Sequence, residues 1–279
     1  MAQGKQIIHW ALFGKPIKTS LSPAIHSMFA DQFGLEISYQ LIEGGAEGFP
    51  QALENFRLEG GSGCNVTLPL KQDAWRLAAQ ASEEVSQARA ANTLVYQPSS
   101  GWFAHTTDGV GLITDLSVNH QVKIEGQRVL ILGAGGAVAG ILGRLTAAAP
   151  REVVLVNRNL ERASLLAERF DSVGKISITD WKDLPTRGRF NLVINATSLG
   201  HQGKAPPLLA SNFAQDAVCY DLNYFRASQP LQSLVEATGQ RYLDGLGMLV
   251  EQAAESFYIW TGKRPDSDVV TEKCRDMVT

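Results

Sequence analysis

The sequence predicts an α/β chain of two domains: a Rossmann-type doubly wound domain, and an α/β domain completed by C-terminal helices. Three observations predict this. Short apolar runs alternate with stretches of helical spacing along the chain, the rhythm of strands and crossover helices. In mid-sequence the run Val129-Leu130-Ile131-Leu132 enters a glycine turn, Gly133-Ala134-Gly135-Gly136-Ala137, so a domain's worth of chain lies ahead of it. Beyond the last strand pattern, residues 246–260 carry Leu249, Ala253, Phe257 and Trp260 along one helical stripe.

The elements follow in order. Residues 8–13 read as a first strand, ended by Gly14-Lys15-Pro16. Ser22-Pro23 opens a helix, with Ser22 a natural N-cap and Pro23 a natural first helical residue. Capping and ligand binding remain open for Ser22. Residues 37–42 form the next strand, Cys64-Asn65-Val66-Thr67 a strand end, Pro69 a helix start, and Thr93-Leu94-Val95-Tyr96 another strand. A short helix at 110–116 leads to the strand before the glycine turn. Strands recur at 153–156, 176–178, 192–194 and 218–220, with helices at 140–148, 160–170 and 230–237 between them. Rhythm and motif position divide the chain into residues 1–107, completed by 245–279, and residues 108–244.

Composition bounds the class. The 279 residues are 44% hydrophobic and 19% charged, with a net charge of −3. That describes a globular protein with no electrostatic bias toward nucleic acid or acidic membranes, and favours a small-molecule partner. Cys64, Cys219 and Cys274 are widely spaced and odd in number, so they read as reduced thiols in a cytoplasmic protein. The apolar run at 8–13 is too short for a membrane span or a secretion signal. No HExxH, paired histidine or G-x-S-x-G pattern is present, so metal is not expected and serine catalysis has no support.

The glycine turn carries the first functional reading. Such a turn lets the backbone bend sharply and bring a pyrophosphate against the free N–H groups of the following helix. Its third fingerprint position is Val138 rather than Gly or Ala, and tight packing alone would also explain the glycines. The next strand decides the cofactor. It ends at Asn157-Arg158-Asn159, with no acid at the strand end and Arg162 one turn on. An acid there would accept from the ribose 2′-OH of NAD, whereas arginines suit the extra phosphate of NADP.

Hydride transfer to a ketone needs a group to handle the proton on oxygen. Lys71 stands at a helix start, an unfavourable place for a cation, and so invites a reason. Asp108, in Thr106-Thr107-Asp108-Gly109, has helix capping as its bland alternative. His105 and His201 lie in polar segments without a partner pattern.

These segments together resemble the shikimate dehydrogenase family, which includes shikimate/quinate enzymes, from end to end. The matching motifs are residues 14–26, Asn65-Val66-Thr67-Leu68-Pro69-Leu70-Lys71, Asn92-Thr93, Thr107-Asp108-Gly109, the glycine turn, Asn157-Arg158, Asn195-Ala196-Thr197-Ser198 and residues 244–253. The resemblance implies reversible, NADP-dependent reduction of 3-dehydroshikimate to shikimate, in the pathway to chorismate and the aromatic amino acids. It implies that Lys71 and Asp108 are catalytic. Ser20 and Ser22 would bind the substrate carboxylate, with Tyr224 closing that side. Asn65, Thr67, Asn92, Thr107, Asp108 and Gln252 would hold the rest of the substrate.

On the cofactor side, Gly133, Ala134, Gly135, Gly136 and Ala137 would meet the pyrophosphate, and Asn157, Arg158, Asn159 and Arg162 the 2′-phosphate end. Thr197, Ser198, Leu222, Gly245 and Met248 would approach the nicotinamide half, although core packing is the ordinary use of Met248. Glu83 aligns near the cofactor in relatives, against the alternative of a solvated helix charge. A monomer or homodimer is expected. Thr19, Thr106, Leu222-Asn223 and Arg89 depart from the family's usual His, Asn, Met-hydrophobic and Gly. Two alternatives remain: a quinate/shikimate or aminoshikimate dehydrogenase, and a non-catalytic sensor binding a dinucleotide and a shikimate-like acid.

Overall fold

A computed structural model describes residues 7–44, 48–170 and 175–277. The chain forms two compact units, Met1–Gly111 with Val250–Thr279, and Leu112–Leu249. Both are α/β, as the apolar rhythm predicts.

The first unit contains β1 (Ile8–Phe13), α1 (Ser22–Gln32), β2 (Ile37–Ile42), α2 (Phe49–Leu58), β3 (Gly61–Val66), α3 (Lys71–Leu77), β4 (Gln80–Ala81), α4 (Glu83–Ala88), β5 (Thr93–Gln97) and β6 (Gly101–His105). Its sheet has six strands in the order β2-β1-β3-β5-β6-β4. β1 pairs parallel with β2 and β3, while β5 runs antiparallel to β3 and β6. Side chains alternate across β1. Ala11 and Phe13 join a core with Phe49, Phe56, Cys64 and Leu94. Trp10 instead meets Phe257 and Trp260, with ring centroids at 5.6 and 4.7 Å. Those two rings come from α9 (Leu246–Thr261), which α10 (Asp268–Asp276) follows. The C-terminal helices thus complete this unit. Gly63 has no side chain where the Trp260 indole lies, and Trp260 Nε1 donates to the Leu94 carbonyl at 3.0 Å. Full burial of a ring such as Phe257 contributes about 1.5–3 kcal/mol.

The second unit is entered along α5 (Asp108–Thr114), whose last turn widens into a π-helical segment, Asp115–Asn119. It contains β7 (Arg128–Leu132), α6 (Gly136–Ala147), β8 (Glu152–Val156), α7 (Leu160–Ala167), β9 (Ile176–Thr179), β10 (Phe190–Asn195), β11 (Phe213–Asp221), α8 (Gln229–Glu236) and β12 (Arg241–Leu243). The sheet order is β12-β11-β10-β7-β8-β9, and every pairing is parallel. This is the doubly wound Rossmann order, with its switch point between β7 and β10, where such sheets take their ligands. Near-continuous burial of Val129 to Leu132 and Val153 to Val156 reflects helices on both faces of the sheet.

Local starts differ from expectation at two places. Ser22 is the first residue of α1 rather than its cap; the turn is closed by the Ser20 hydroxyl, which accepts from Ser22 N at 3.2 Å. α3 begins at Lys71, two residues past Pro69. No helix among the described residues is long and apolar enough to cross a membrane.

Candidate active site

In the first unit the polar residues crowd the ends of β3, β5 and β6. Gly14 makes room there, because a Cβ on it would overlap the side chains of Thr67 and Ile17. The chain after β1 is therefore laid against the chain after β3, with Thr67 N donating to the Phe13 carbonyl at 2.8 Å and Lys15 N to the Leu68 carbonyl at 2.9 Å. That places the loop bearing Ser20 and Ser22 beside the Thr67 segment. The two serine hydroxyls are 3.1 Å apart, Ser20 donating to Ser22.

Lys71 and Asp108 are the first residues of α3 and α5, and they form an ion pair between Nζ and Oδ2. Their side chains are 12% and 8% exposed, so water reaches the pair without flooding it. The Asp108 carboxylate is committed to Lys71 and to Asn92, whose Nδ2 donates to Oδ1 at 2.9 Å. Capping is not its main use. Asn92 is buried and acts as the organiser: its Nδ2 also lies 2.9 Å from Thr107 Oγ1 and 3.1 Å from Gln252 Oε1, while its Oδ1 accepts from Thr107 N at 2.8 Å. Lys71, Asn92, Thr107, Asp108 and Gln252 are thus brought together from four elements or their edges.

Asn65 is placed differently. Its Oδ1 accepts from Tyr39 at 2.8 Å and lies 3.1 Å from His26 Nε2, and its Nδ2 donates to the Asn92 carbonyl, Thr93 Oγ1 and Ser256 Oγ. Both ends of this buried amide are engaged inside the unit. Burial pushes His26 down to about 3, so its ring is neutral among Trp10, Phe29 and Phe257. Thr93 belongs to the Asn92-Thr93 motif, whereas Tyr39 and Ser256 carry no motif in the sequence. Ser256 follows Gln252 by one helical turn, and that i, i+4 spacing was the available signal. His105 packs its ring on Phe103 at 4.7 Å, and burial lowers its pKa; His201 is exposed. Glu83 is an exposed residue in the first turn of α4, where a negative charge suits the helix end.

In the second unit the glycine turn joins β7 to α6. Gly133 has φ +112°, and a Cβ there would come within 3.2 Å of the Ala196 carbonyl. Only glycine serves both demands. A Cβ on Gly135 would meet nothing nearer than Arg162 Nη2 at 3.9 Å, so the turn is open on that side beneath a guanidinium. Ala134, Gly135, Gly136 and Ala137 lead into the first turn of α6, whose N–H groups have no intrahelical partners. This cradle fits a dinucleotide pyrophosphate. Arg158 and Arg162 are exposed after β8; Asn159 caps α7 by accepting from Arg162 N at 2.9 Å, and Asn157 donates to the Asn159 carbonyl. Thr197 is held by the Asn195 side chain, and Ser198 is exposed. Gly245 packs on the Leu222 backbone, and Met248 is buried with its N–H on the Tyr220 hydroxyl. Tyr224 lies in this unit, its ring edge-on to Phe225 at 5.2 Å. Among the described residues no group of three or more His, Cys, Asp or Glu side chains could hold a metal ion.

A doubly wound sheet with this cradle, accompanied by a lysine–aspartate pair in a second α/β unit, is the plan of a dinucleotide-dependent oxidoreductase. Comparison with known proteins narrows the class. Three family profiles match in order: a shikimate dehydrogenase substrate binding domain over residues 12–94, shikimate/quinate 5-dehydrogenase over 116–202, and a shikimate 5′-dehydrogenase C-terminal domain over 245–275. The shikimate dehydrogenase (NADP(+)) of Alkalilimnicola ehrlichii is 44% identical over 267 residues, 95% of this chain and 98% of that protein. The crystal structure of an Ael1 enzyme from Pseudomonas putida superposes with a TM-score of 0.89 at 38% identity, covering 95% of this chain and 97% of that one. The shikimate 5-dehydrogenase of Thermus thermophilus, solved in complex with NADP(H) and shikimate, gives 0.78 at 31% identity, covering 96% and 99%. The chain belongs to the shikimate dehydrogenase family.

Proposed function

We infer that this chain is an NADP-dependent shikimate dehydrogenase, reducing 3-dehydroshikimate reversibly to shikimate on the route to chorismate and the aromatic amino acids. The observation that carries the reading is the Lys71–Asp108 pair, steadied by Asn92, in a family member with an NADP-type turn. Substrate binding is assigned to the first unit and the dinucleotide to the second, whose bounds at residues 111/112 and 249/250 lie a few residues beyond the 107/108 and 244/245 divisions expected from sequence.

NADPH, bound by the second unit, supplies the hydride. The chain's own residues handle the proton. Lys71 Nζ donates to the carbonyl oxygen as it gains charge, and in the oxidising direction takes the proton back. Asp108 Oδ2 holds the amine on its line of approach, and Asn92 fixes the other carboxylate oxygen so that the pair does not rotate. Ser20 and Ser22 are assigned to the substrate carboxylate. Thr67, Asn92, Thr107 and Gln252 bind ring hydroxyls with neutral donors and acceptors, and Asn65 backs them from the buried side. Such a lining suits a polyhydroxylated acid and discriminates by leaving buried groups unpaired when a hydroxyl is missing.

Gly133, Ala134, Gly135, Gly136 and Ala137 cradle the pyrophosphate through their backbone. Arg158 and Arg162, with Asn157 and Asn159, take the 2′-phosphate, where a guanidinium offers paired donors. Thr197, Ser198, Leu222, Gly245 and Met248 face the nicotinamide half. The three buried free cysteines support a cytoplasmic setting, burial pushing the Cys64 and Cys219 thiols up and making them poor nucleophiles. A monomer or homodimer is the assembly proposed.

The test is product analysis. Purified protein given 3-dehydroshikimate and NADPH should yield shikimate in equal amount to NADPH consumed; binding of both without any conversion would instead establish a sensor.

A further inference from the structure

Asp221 enters none of the roles above, yet it joins the loops that carry several of them. It ends β11 in register with Asn195, the last residue of β10, and is 0% exposed. A carboxylate removed from water is costly unless donors or a cation compensate it. Its Oδ1 accepts from Asn195 Nδ2 at 2.9 Å, Asn223 N at 3.0 Å and Asn223 Nδ2 at 2.8 Å. Its Oδ2 accepts from the Tyr242 hydroxyl at 3.3 Å, a proton shared with the Ser228 carbonyl at the same distance. The titratable groups facing this cluster are Tyr242 and Cys219, with Asp244 beyond Tyr242. Among the described residues no cation forms an ion pair with it.

Each donor leads to a different loop. Asn195 Oδ1 accepts from Thr197 N at 3.1 Å and Thr197 Oγ1 at 2.8 Å. Asn223 Nδ2 reaches the Thr197 carbonyl at 3.1 Å, and the Asn223 carbonyl accepts from Gly245 N at 3.0 Å. Leu222 N donates to the Asn195 carbonyl at 2.9 Å. The connections after β10, β11 and β12 therefore hang on one carboxylate at the C-terminal edge of the sheet.

We propose that Asp221 is a positioning residue which, through Asn195 and Asn223, fixes the loops bearing Thr197, Leu222 and Gly245 for the nicotinamide half of the dinucleotide. This rests on the NADP reading of those loops. The arrangement also has a pH sense. Burial holds the Asp221 carboxyl up at about 6, so it gains a proton as the pH falls through that range. A neutral carboxyl is a weaker acceptor than a carboxylate, so the three bonds at Oδ1 slacken together.

The test is direct titration with NADPH, followed by fluorescence without substrate, on the wild-type chain, Asp221→Asn and Asn223→Ala. At pH 8 both variants should bind about 10-fold more weakly, the loss of about one charge-assisted hydrogen bond, while the shikimate KM stays within twofold. Near pH 5 the gap between wild type and Asp221→Asn should close; the 2′-phosphate titrates in the same range but equally in both proteins. Where Asp221→Asn does not fold, Asn223→Ala, which leaves the carboxylate in place, decides. Wild-type binding with both variants within twofold at pH 8 overturns this inference alone. A wild-type chain that binds no NADPH overturns the cofactor reading and this inference with it.

Discussion

Lys71 and Asp108 face each other from the first residues of two helices, and their ion pair joins Nζ to the one carboxylate oxygen that Asn92 leaves available. A lysine at a helix start gains nothing from the helix dipole. Here it is held by a partner with little exposure, and the proposed role of the amine is to donate the proton. Lys71→Ala should lower kcat by roughly 100-fold or more with the shikimate KM little changed, because the lost interaction belongs to the transition state. Steady-state kinetics in both directions check this; an unchanged kcat removes Lys71 from the mechanism.

Asn92 connects that pair to the rest of the pocket. Asn92→Ala leaves the Thr107 N–H, which Asn92 Oδ1 now accepts, without its partner in a buried place, and frees Asp108 Oδ1. Each buried group left unsatisfied costs about 1–3 kcal/mol. The expected result is a lower denaturation midpoint together with a fall in kcat/KM, whereas a Gln252→Ala variant should affect mainly the shikimate KM.

The two arginines after β8 are proposed to set cofactor choice. Arg158→Ala combined with Arg162→Ala should reduce kcat/KM for NADPH about 10-fold or more, each charge-assisted contact being worth about 1.5–3 kcal/mol. The effect on NADH should be small at Arg158. Parallel rates with the two cofactors at equal concentration read this out, and equal losses for both would assign the arginines elsewhere.

Two buried groups give stability opposite slopes with pH. The folded-state pKa of His26, about 3, lies below its ordinary 6.5, so stability is fully present above pH 6.5 and is lost as pH falls toward 3. Between pH 7 and 5 wild type should lose about 2 kcal/mol relative to His26→Gln. Asp221 behaves oppositely, since its folded pKa of about 6 lies above 3.8: its contribution is present at low pH and is lost as pH rises through about 6. Against Asp221→Asn, wild type should therefore gain stability on acidification. Denaturant midpoints across this range measure both.

Arg89 gives a prediction about the fold alone. It takes φ +52° at the end of α4, with its N–H on the Val85 carbonyl. Left-handed backbone is disfavoured for a side chain, so Arg89→Gly should stabilise by about 0.5–1 kcal/mol, visible as a higher Tm.

What sequence revealed follows from how strongly each signal is local. β7, β8, β10 and the core of β11 are buried on both faces and read as unbroken apolar runs, and Gly133 announced itself because backbone geometry there excludes other residues. β4 has two residues and β12 three, too short to show a period, and α10 is mostly polar, its face defined by Val270 and Cys274 alone. In the site, Lys71 was legible by its odd placement at a helix start, whereas an acid at a helix start is ordinary and Asp108 stood out only through the family resemblance. Asp221 and Asn223 were not, since a carboxylate after an apolar run looks like any strand end until the register with Asn195 is known. Ser22 looked like a cap because caps and anion-binding hydroxyls share one chemistry, and the bond that closes the turn comes from Ser20 instead.

The central claim is hydride exchange between shikimate and NADP with Lys71 handling the proton. Initial rates with shikimate and with quinate, each supplied with NADP and with NAD, test it in one set of measurements. The account predicts the highest kcat/KM for shikimate with NADP, lower values on replacing either partner, and near-loss of all four rates in Lys71→Ala. Turnover that favours quinate or NAD, or that survives in Lys71→Ala, would contradict it.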